Sequence, residues 1–520
     1  MSGSGDVVLG VDLGTTATKV IAYDVSGKGL ASASEPYPME QPEPGAAVQD
    51  PDEIVAAVRT AVRKVVGEIA DRRVAGMSLS AAMHSLIGLG EDGALVTPAI
   101  TWADTRAADQ ARRLRDEGLA LPLHHRTGTP VHPMSPLVKL IWLRETQPDL
   151  HRRAARWVGI KEYLLGSWCE SFVVDHSLAS ATGLLALQTL DWDPEALDLA
   201  GVTREQLPEP VPTLTVLPGL SPDAGRDLGL PSGTPVVIGA SDGPLANLGL
   251  GAVHPGQVAC SIGTSGALRV MVEDAAVDPG GGVFCYAFVP GRWVVGGAIN
   301  NGGSVLAWAG DALAPDLGED SAAALVALAE KAPAGAGGLL MLPYLLGERA
   351  PHWSPVPLGA YVGLTRAHRR EHLVRAALEG VCLQLGLVLA SMRDAGIEIR
   401  EVRATGGFAR STLWRQMLAD VLGLPVNFPA GHEGSSFGAA LLGMQALGLV
   451  VSLDVAADLV RIETTVEPDA EALAVYDELR PVFARLFDAL VPTFTELRRL
   501  APELAGDDAP GAAQAPSPLG

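Results

Sequence analysis

Apolar runs broken by short glycine-containing turns recur along the chain and predict β-strands. Residues 7–16 form such a run and end in a Gly-Thr-Thr turn, and residues 258–266 repeat the apolar run, the Gly-Thr turn and a following hydroxyl. Glycine lets the backbone approach a ligand, while amides and hydroxyls in the turn contact phosphate. One such turn is commonly an ordinary hairpin. The pair predicts a duplicated ATP-binding fold.

An alternation of helix and strand follows the first hairpin. Asp50 is a predicted helix cap, Pro51 occupies the first turn, and residues 54–69 carry one apolar stripe. Residues 74–79 then read as a short buried strand. His84 should lie just beyond the carboxyl end of that strand, where open α/β sheets hold ligands. A hydrogen-bonded core histidine is the other interpretation.

A second strand-to-helix connection lies late in the chain. Residues 402–405 read as a strand, Gly406 and Gly407 as a close-approach turn, and Ser411 as the cap of an apolar-striped helix. A flat ligand could rest on the two glycines. Taken alone, the turn is better explained as an ordinary tight connection between a strand and a helix.

Two aspartates are candidates for chemistry. Asp12 lies at the first turn, where it would either hold magnesium or serve as a solvated or capping carboxylate. Asp242 ends an apolar strand near the junction of the two halves. Phosphoryl transfer to an alcohol needs a base, which Asp242 could supply. Local statistics alone favour a turn aspartate preceding glycine.

Length and composition indicate a two-domain α/β protein. The chain has 520 residues, more than one core usually supports. Two domains of similar size are therefore the simplest count. Residues 501–520 are rich in Ala, Pro and Gly without periodic apolar positions, which predicts a disordered tail.

The net charge of the chain limits the classes of partner that it can bind. The 60 acidic and 38 basic residues give a net charge of −22, which repels nucleic acid and anionic membranes. Four widely separated cysteines fit a reducing compartment. The N-terminus lacks a secretory pattern, and the apolar segment 434–453 predicts a core helix rather than a membrane span. These features predict a cytoplasmic protein.

Longer motifs carry a family resemblance. Residues 134–145 and 359–379 are similar to the two signatures of the FGGY family of carbohydrate kinases, and residues 342–351 accompany the second. The resemblance covers about residues 7–449. It implies an α/β fold of two actin-like, ribonuclease H-like ATPase domains with an interdomain cleft. The domain at residues 1–250 would bind sugar and phosphate, and the domain at residues 251–500 would bind ATP. The resemblance also implies that ATP and Mg²⁺ are required.

The resemblance implies a role for each matching residue. Asp242 corresponds to the catalytic base, which overrides its reading as a turn residue, and Asp12 to the magnesium-binding carboxylate. The implied sugar contacts are Met83, His84, Trp102, Asp104, Arg106 and Asp242. The implied nucleotide contacts are Gly14, Thr15, Thr16, Lys19, Gly263, Thr264, Gly303, Gly406, Gly407 and Ser411. Without the resemblance, Trp102 reads as a core residue, and Asp104 with Arg106 as an exposed pair.

Residues 80–85, 101–104 and 126–134 are most similar to gluconokinases. This implies phosphorylation of D-gluconate at the 6-hydroxyl to give 6-phosphogluconate. Binding the gluconate carboxylate needs cationic or amide groups. The candidates in the sequence are Arg106, Arg126, His132 and Lys139.

Other functions remain compatible with the chain. Within the family the alternatives are a xylulokinase or another pentulose or polyol kinase. Outside it they are an actin- or chaperone-like ATPase and a catalytically silent sugar sensor. The expected partner is a small sugar acid or polyol, and family members often form homodimers.

Overall fold

A computed structural model describes residues 5–69, 72–318, 322–430 and 434–500. The tail predicted at residues 501–520 lies outside the described residues. The strands are β1 Asp6–Leu13, β2 Ala17–Asp24, β3 Gly29–Pro36, β4 Val48–Gln49, β5 Arg73–Ala81, β6 Ile87–Leu89, β7 Ala99–Ile100, β8 Arg156–Val158, β9 Val173–Asp175, β10 Leu185–Ala186, β11 Asp191–Trp192, β12 Glu209–Val211, β13 Val216–Leu217, β14 Val236–Ser241, β15 Gln257–Ile262, β16 Gly266–Val272, β17 Phe284–Ala287, β18 Trp293–Ile299, β19 Leu340–Leu342, β20 Ala360–Val362, β21 Glu401–Thr405, β22 Val426–Pro429 and β23 Ile462–Val466.

The helices alternate with these strands. They are α1 Pro51–Glu68, α2 Ala108–Asp116, α3 Ala120–Thr127, α4 Pro136–Thr146, α5 Pro148–Arg153, α6 Ile160–Cys169, α7 His176–Ala181, α8 Pro194–Ala200, α9 Pro222–Leu228, α10 Asp242–Gly249, α11 Gly303–Leu313, α12 Ala322–Ala329, α13 Arg370–Asp394, α14 Thr412–Leu422, α15 Gly434–Ala446, α16 Val455–Leu459 and α17 Ala470–Leu500.

Two sheets repeat one arrangement of strands. The first has the order β13-β14-β5-β1-β2-β3, and the second β17-β18-β16-β15-β21-β22-β23. In the first, β1 pairs antiparallel with β2 and parallel with β5, which pairs parallel with β14. In the second, β15 pairs antiparallel with β16 and parallel with β21, which pairs parallel with β22. The prediction of a duplicated α/β fold is confirmed.

The local predictions also hold. The Asp50 side chain accepts a hydrogen bond from the Asp52 amide and so caps α1, which begins at Pro51. Strands predicted at residues 74–79 and 402–405 are β5 and β21. The Ser411 hydroxyl accepts from the Trp414 amide and caps α14.

The helices α10 and α15 follow equivalent strands of the two sheets and pack against each other. Their backbones approach so closely that a Cβ on Gly438 would lie 2.0 Å from the Leu245 carbonyl oxygen. A larger residue at that point would force the helices apart. The contact brings together the start of α10 at Asp242 and the start of α15 beside Ser435.

One described helix, α13, is long and apolar enough to span a membrane by length and composition alone, and 78% of its most apolar segment is buried in the structure. Packing against the second sheet and α14 accounts for that composition. The helix predicted within residues 434–453 is the buried α15. The four cysteines are buried and unbonded, as expected of small apolar side chains.

Candidate active site

A cavity of about 180 Å³ is lined by residues from both halves of the chain. Met83, His84 and Trp102 line it from the first half, and Ser265 and Tyr286 from the second. Asp242 opens onto the same space. The structure therefore brings together most of the predicted sugar contacts and the predicted base, although they lie far apart in the sequence.

Asp242 is the first residue of α10 and directly follows β14. Its Oδ1 accepts a 2.7 Å hydrogen bond from the Gly243 amide. Burial and the neighbouring Asp12 carboxylate together raise the pKa of Asp242 to about 6, although Arg269 opposes the shift. A carboxylate with a pKa near neutrality is suited to accept a hydroxyl proton.

His84 has one ring nitrogen committed to the fold. Its Nδ1 lies 2.8 Å from the Ala181 carbonyl oxygen, which can only accept, so Nδ1 carries the proton. Burial, with the positive charge of Lys139, lowers the pKa of His84 to about 3. The ring is therefore neutral at physiological pH, and its unprotonated Nε2 can only accept a hydrogen bond. Such a nitrogen can accept a hydrogen bond from a sugar hydroxyl.

Trp102 links the predicted sugar wall to the first phosphate turn. Its indole Nε1 donates a 2.9 Å hydrogen bond to the Thr15 hydroxyl. The side chain packs against the hydrophobic core on one side and lines the cavity on the other, so its role as a sugar contact stays a prediction. The guanidinium of Arg349, a residue of the second half, lies 5.0 Å from the centre of the Trp102 ring.

The Asp12 carboxylate accepts from the hydroxyls of Ser80 at 2.6 Å and Ser435 at 2.7 Å. Burial raises the pKa of Asp12, although the two hydrogen bonds and the positive charge of Lys19 each act to lower it. Within the described residues, no group of three His, Cys, Asp or Glu side chains could hold a metal. One carboxylate fits Mg²⁺, which keeps several waters and binds mainly to phosphate oxygens. A cation would also relieve the repulsion between Asp12 and Asp242.

The glycines of the predicted nucleotide site have different surroundings. A Cβ on Gly406, whose φ is +117°, would lie 2.2 Å from the Ile262 carbonyl oxygen. Glycine is required there so that β21 can approach the second hairpin. A Cβ on Gly407 or Gly263 would meet no atom within 4 Å. Those two positions leave open space for a ligand.

Backbone bonds hold the two predicted phosphate turns. The Gly303 amide donates to the Gly263 carbonyl at 2.7 Å, and the Thr264 carbonyl accepts from the amide of Ser304. In the first turn the Gly14 amide donates to the Ala17 carbonyl at 3.2 Å. The nucleotide contacts of Gly14, Thr15, Thr16, Lys19, Gly263, Thr264, Gly303, Gly406, Gly407 and Ser411 stay predictions.

Asp104 and Arg106 form a pair, but not the exposed one that local reasoning predicts. The Asp104 carboxylate is buried and accepts from the Ala47 amide as well as from Arg106. Arg106 also pairs with Glu43 and lies over the Trp142 ring at 4.5 Å. These contacts commit both charges to holding loops together. Their role as sugar contacts stays a prediction.

Three candidates for binding a substrate carboxylate have other partners. Arg126 pairs with Asp193 and Glu195, away from the cavity. The Lys139 ammonium is fully buried and donates to the carbonyl oxygens of His84, Ile100 and Thr101. His132 is also buried, which lowers its pKa well below the usual value, and its Nδ1 accepts from the Met134 amide.

Sequence reasoning missed two cationic residues of the cavity. Arg269 extends from β16 and Arg349 from the segment after β19, and both line the space beside Asp242. Ala267, two residues before Arg269 and therefore on the same face of β16, also lines it. The sequence signal for Arg269 was that side chains along β16 alternate between the two faces of the sheet. It could not show which face turned towards the cleft.

Comparisons with known proteins identify the family and the fold. The N-terminal and C-terminal domains of the FGGY family of carbohydrate kinases match residues 7–249 and 258–447. A gluconokinase from Bacillus licheniformis is 40% identical, covering 94% of this chain and 97% of its own.

Two crystal structures from Lactobacillus acidophilus, one described as a gluconate kinase and one as a ligand-bound xylulose kinase, each superpose with a TM-score of 0.91 at 36% identity. Each covers 95% of this chain and 100% of its own. The two α/β halves therefore have the actin-like, ribonuclease H-like fold. The chain belongs to the FGGY family of carbohydrate kinases.

Proposed function

We propose that this protein transfers the γ-phosphoryl group of ATP to the 6-hydroxyl of D-gluconate and releases 6-phosphogluconate and ADP. The observation that carries the proposal is the Asp242 carboxylate, with its raised pKa, facing a cavity walled by Met83, His84 and Trp102. The similarity to proteins named gluconokinase supports gluconate as the acceptor.

In the proposed reaction, sugar and nucleotide enter the cleft from opposite walls. His84 orients a hydroxyl through Nε2, and Trp102 supplies an apolar surface for the carbon chain. Asp242 accepts the proton of the attacking hydroxyl as the oxygen bonds to phosphorus and the bond to the ADP oxygen breaks. Asp12 would hold Mg²⁺, which neutralises charge on the transferring phosphates. Closure of the two domains would exclude water, so that the sugar competes successfully for the phosphoryl group.

The test is ADP release by the purified protein with Mg-ATP and a panel of gluconate, xylulose, ribulose and glycerol. We expect stimulation by gluconate and formation of 6-phosphogluconate, identified by mass spectrometry. ADP release without any added sugar would indicate an ATPase. Sugar binding without ADP release would indicate a sensor, and either result would overturn the proposal.

Xylulose is the second candidate acceptor, because one of the two equally similar structures is described as a xylulose kinase. A preference for xylulose in the panel would keep Asp242 as the proposed base and replace only the substrate.

We further propose a cytoplasmic protein with domains at residues 1–250 and 251–500, able to form a homodimer. Size-exclusion chromatography with light scattering tests the last point.

The pKa of Asp242 predicts the acid limb of the pH profile. A base works only when deprotonated, and a raised pKa moves its protonation to higher pH. We therefore expect kcat/KM for gluconate to fall tenfold per unit as the pH drops below about 6. The measurement is kcat/KM from pH 5 to pH 9 at saturating Mg-ATP. A profile that stays flat down to about pH 5 would contradict this assignment.

The nucleotide platform can be tested at Gly407. The Gly407→Ala methyl would point into open space, so the fold should tolerate it, but it would intrude on an adenosine resting on the turn. We expect KM for ATP to rise about tenfold with an unchanged melting temperature. Gly67→Ala, on the exposed side of α1 where a Cβ also meets nothing, is the control. An unchanged KM for ATP would remove Gly407 from the site.

A further inference from the structure

Two arginines share the cavity with Asp242, and the proposed reaction does not account for them. The charged side chains that line the cavity within the described residues are Asp242, Arg269 and Arg349. His84 also lines it but is neutral, because its pKa is about 3. With Asp242 deprotonated, the side chains that line the cavity carry one net positive charge.

Neither arginine is fully satisfied by the protein. The Nε atoms of both are buried and have no hydrogen-bond partner among the described residues. Arg349 donates through Nη2 to the Ile299 carbonyl and lies over Trp102. Arg269 packs beside the start of α10, where a Cβ on Gly243 would lie 2.9 Å from its Nε. Buried donors without acceptors are costly, so a ligand that supplies acceptors would be favoured.

The neighbouring Glu348 carboxylate is hydrogen-bonded to groups other than the Arg349 guanidinium. Glu348 accepts from the backbone amides of Asn300 and Arg349 and from the side chain of Asn301. Burial raises the pKa of Glu348 to about 7, so this carboxylate carries only part of a negative charge at neutral pH. Burial also lowers the pKa of Arg349, but only to about 10, so its guanidinium stays charged. The two arginines also repel each other, as expected of a pair that requires an anion between them.

We propose that Arg269 and Arg349 bind the carboxylate of the sugar-acid substrate and so select aldonates over neutral sugars; this rests on the proposed function. Guanidinium groups match the planar geometry and charge of a carboxylate. Ala267 supports the assignment, because its small side chain on the same face of β16 leaves room beside Arg269. The hydroxyls of a neutral polyol can accept hydrogen bonds from the arginines but leave their excess positive charge in place, whereas the carboxylate of an aldonate supplies both acceptors and a negative charge.

The alternative role for Arg269 is adjustment of Asp242 alone, since its charge opposes the raised pKa of that carboxyl. The two roles differ in what they change. A carboxylate-binding arginine alters the preference for an acid over the corresponding alcohol. An arginine that acts only on the base alters turnover of both substrates equally and shifts the acid limb of the pH profile.

The experiment compares D-gluconate with D-glucitol, which has an alcohol in place of the carboxylate and the same four stereocentres. Wild type, Arg269→Met, Arg349→Met and Arg269→Lys are assayed at pH 8, where Asp242 is deprotonated. Calorimetric titration measures binding of each compound without turnover. Arg126→Met is the matched control, because Arg126 pairs with Asp193 and Glu195 outside the cavity.

We expect each Arg→Met change to lower gluconate affinity and kcat/KM about 10²-fold while glucitol changes much less. Arg269→Lys should recover part of the loss, and Arg126→Met should match wild type. Equal losses for the acid and the alcohol, or an unchanged gluconate affinity, would overturn the carboxylate site while leaving gluconate as substrate. Absence of gluconate turnover in the wild type would instead overturn the proposed function, and with it this inference.

Discussion

Replacing Asp242 by Asn is expected to lower kcat by about 10²- to 10⁴-fold while leaving ATP binding nearly unchanged. The amide cannot accept the hydroxyl proton, but its Oδ1 can still accept from the Gly243 amide, which is the hydrogen bond that Asp242 makes at the start of α10. The local fold should therefore persist. The loss would report chemistry rather than unfolding.

The measurement pairs a coupled assay of ADP release with calorimetric titration of Mg-ATP. Asp109→Asn is the matched control, because the Asp109 side chain is 77% exposed on α2 and remote from the cavity. Loss of turnover together with loss of ATP binding would indicate a structural defect. Turnover close to that of wild type in Asp242→Asn would eliminate the assignment as base.

The placement of Asp242 shows what local sequence can and cannot predict. The apolar run before it predicts β14 correctly, because strand formation depends on a local pattern. The role of the carboxylate depends on the contact between α10 and α15 and on the cavity beyond, which join residues far apart in the chain. Local statistics favoured a turn residue for that reason. The family resemblance carried the nonlocal information that the pattern lacks.

The two hairpins were predictable in the same way, whereas the cationic side of the cavity was not. Arg269 lies on β16 and Arg349 in the segment after β19, so the two line one cavity only in the folded protein. Lys139 is the opposite case, a residue that the sequence suggested for the site but that the fold uses elsewhere. It was a reasonable candidate for carboxylate binding, yet its ammonium is buried on three carbonyl oxygens. Nothing in the helical pattern around it distinguishes a ligand-binding lysine from one that ties loops together.

A second large effect is expected at the buried ion pair between Lys161 and Asp175. Their charged atoms lie 2.5 Å apart, and both side chains are fully buried. Lys161→Met would leave the Asp175 carboxylate buried without its cation, which typically costs about 3–5 kcal/mol. The neighbouring Glu162 adds little to that cost because burial raises its pKa to about 7, so it can take up a proton.

Loss of the ion pair between Lys161 and Asp175 should disturb the cavity through α7. Asp175 Oδ1 caps this helix by accepting from the amides of Ser177 and Leu178. The Ser177 hydroxyl lies 2.6 Å from that of Ser241, the residue before Asp242. The Ala181 carbonyl at the other end of α7 accepts from His84. One short helix thus positions both the predicted base and a predicted sugar contact.

The test measures urea unfolding and steady-state kinetics for Lys161→Met, Asp175→Asn and the double variant. The Asn side chain keeps the oxygen that caps α7 but removes the charge, so the double variant should recover part of the stability that Lys161→Met loses. Because α7 contacts Ser241 and His84, kcat should recover together with stability. A Lys161→Met protein within about 1 kcal/mol of wild type would show that the pair is not a major support of the fold. Recovery of stability without recovery of kcat would instead separate the pair from the geometry around Asp242.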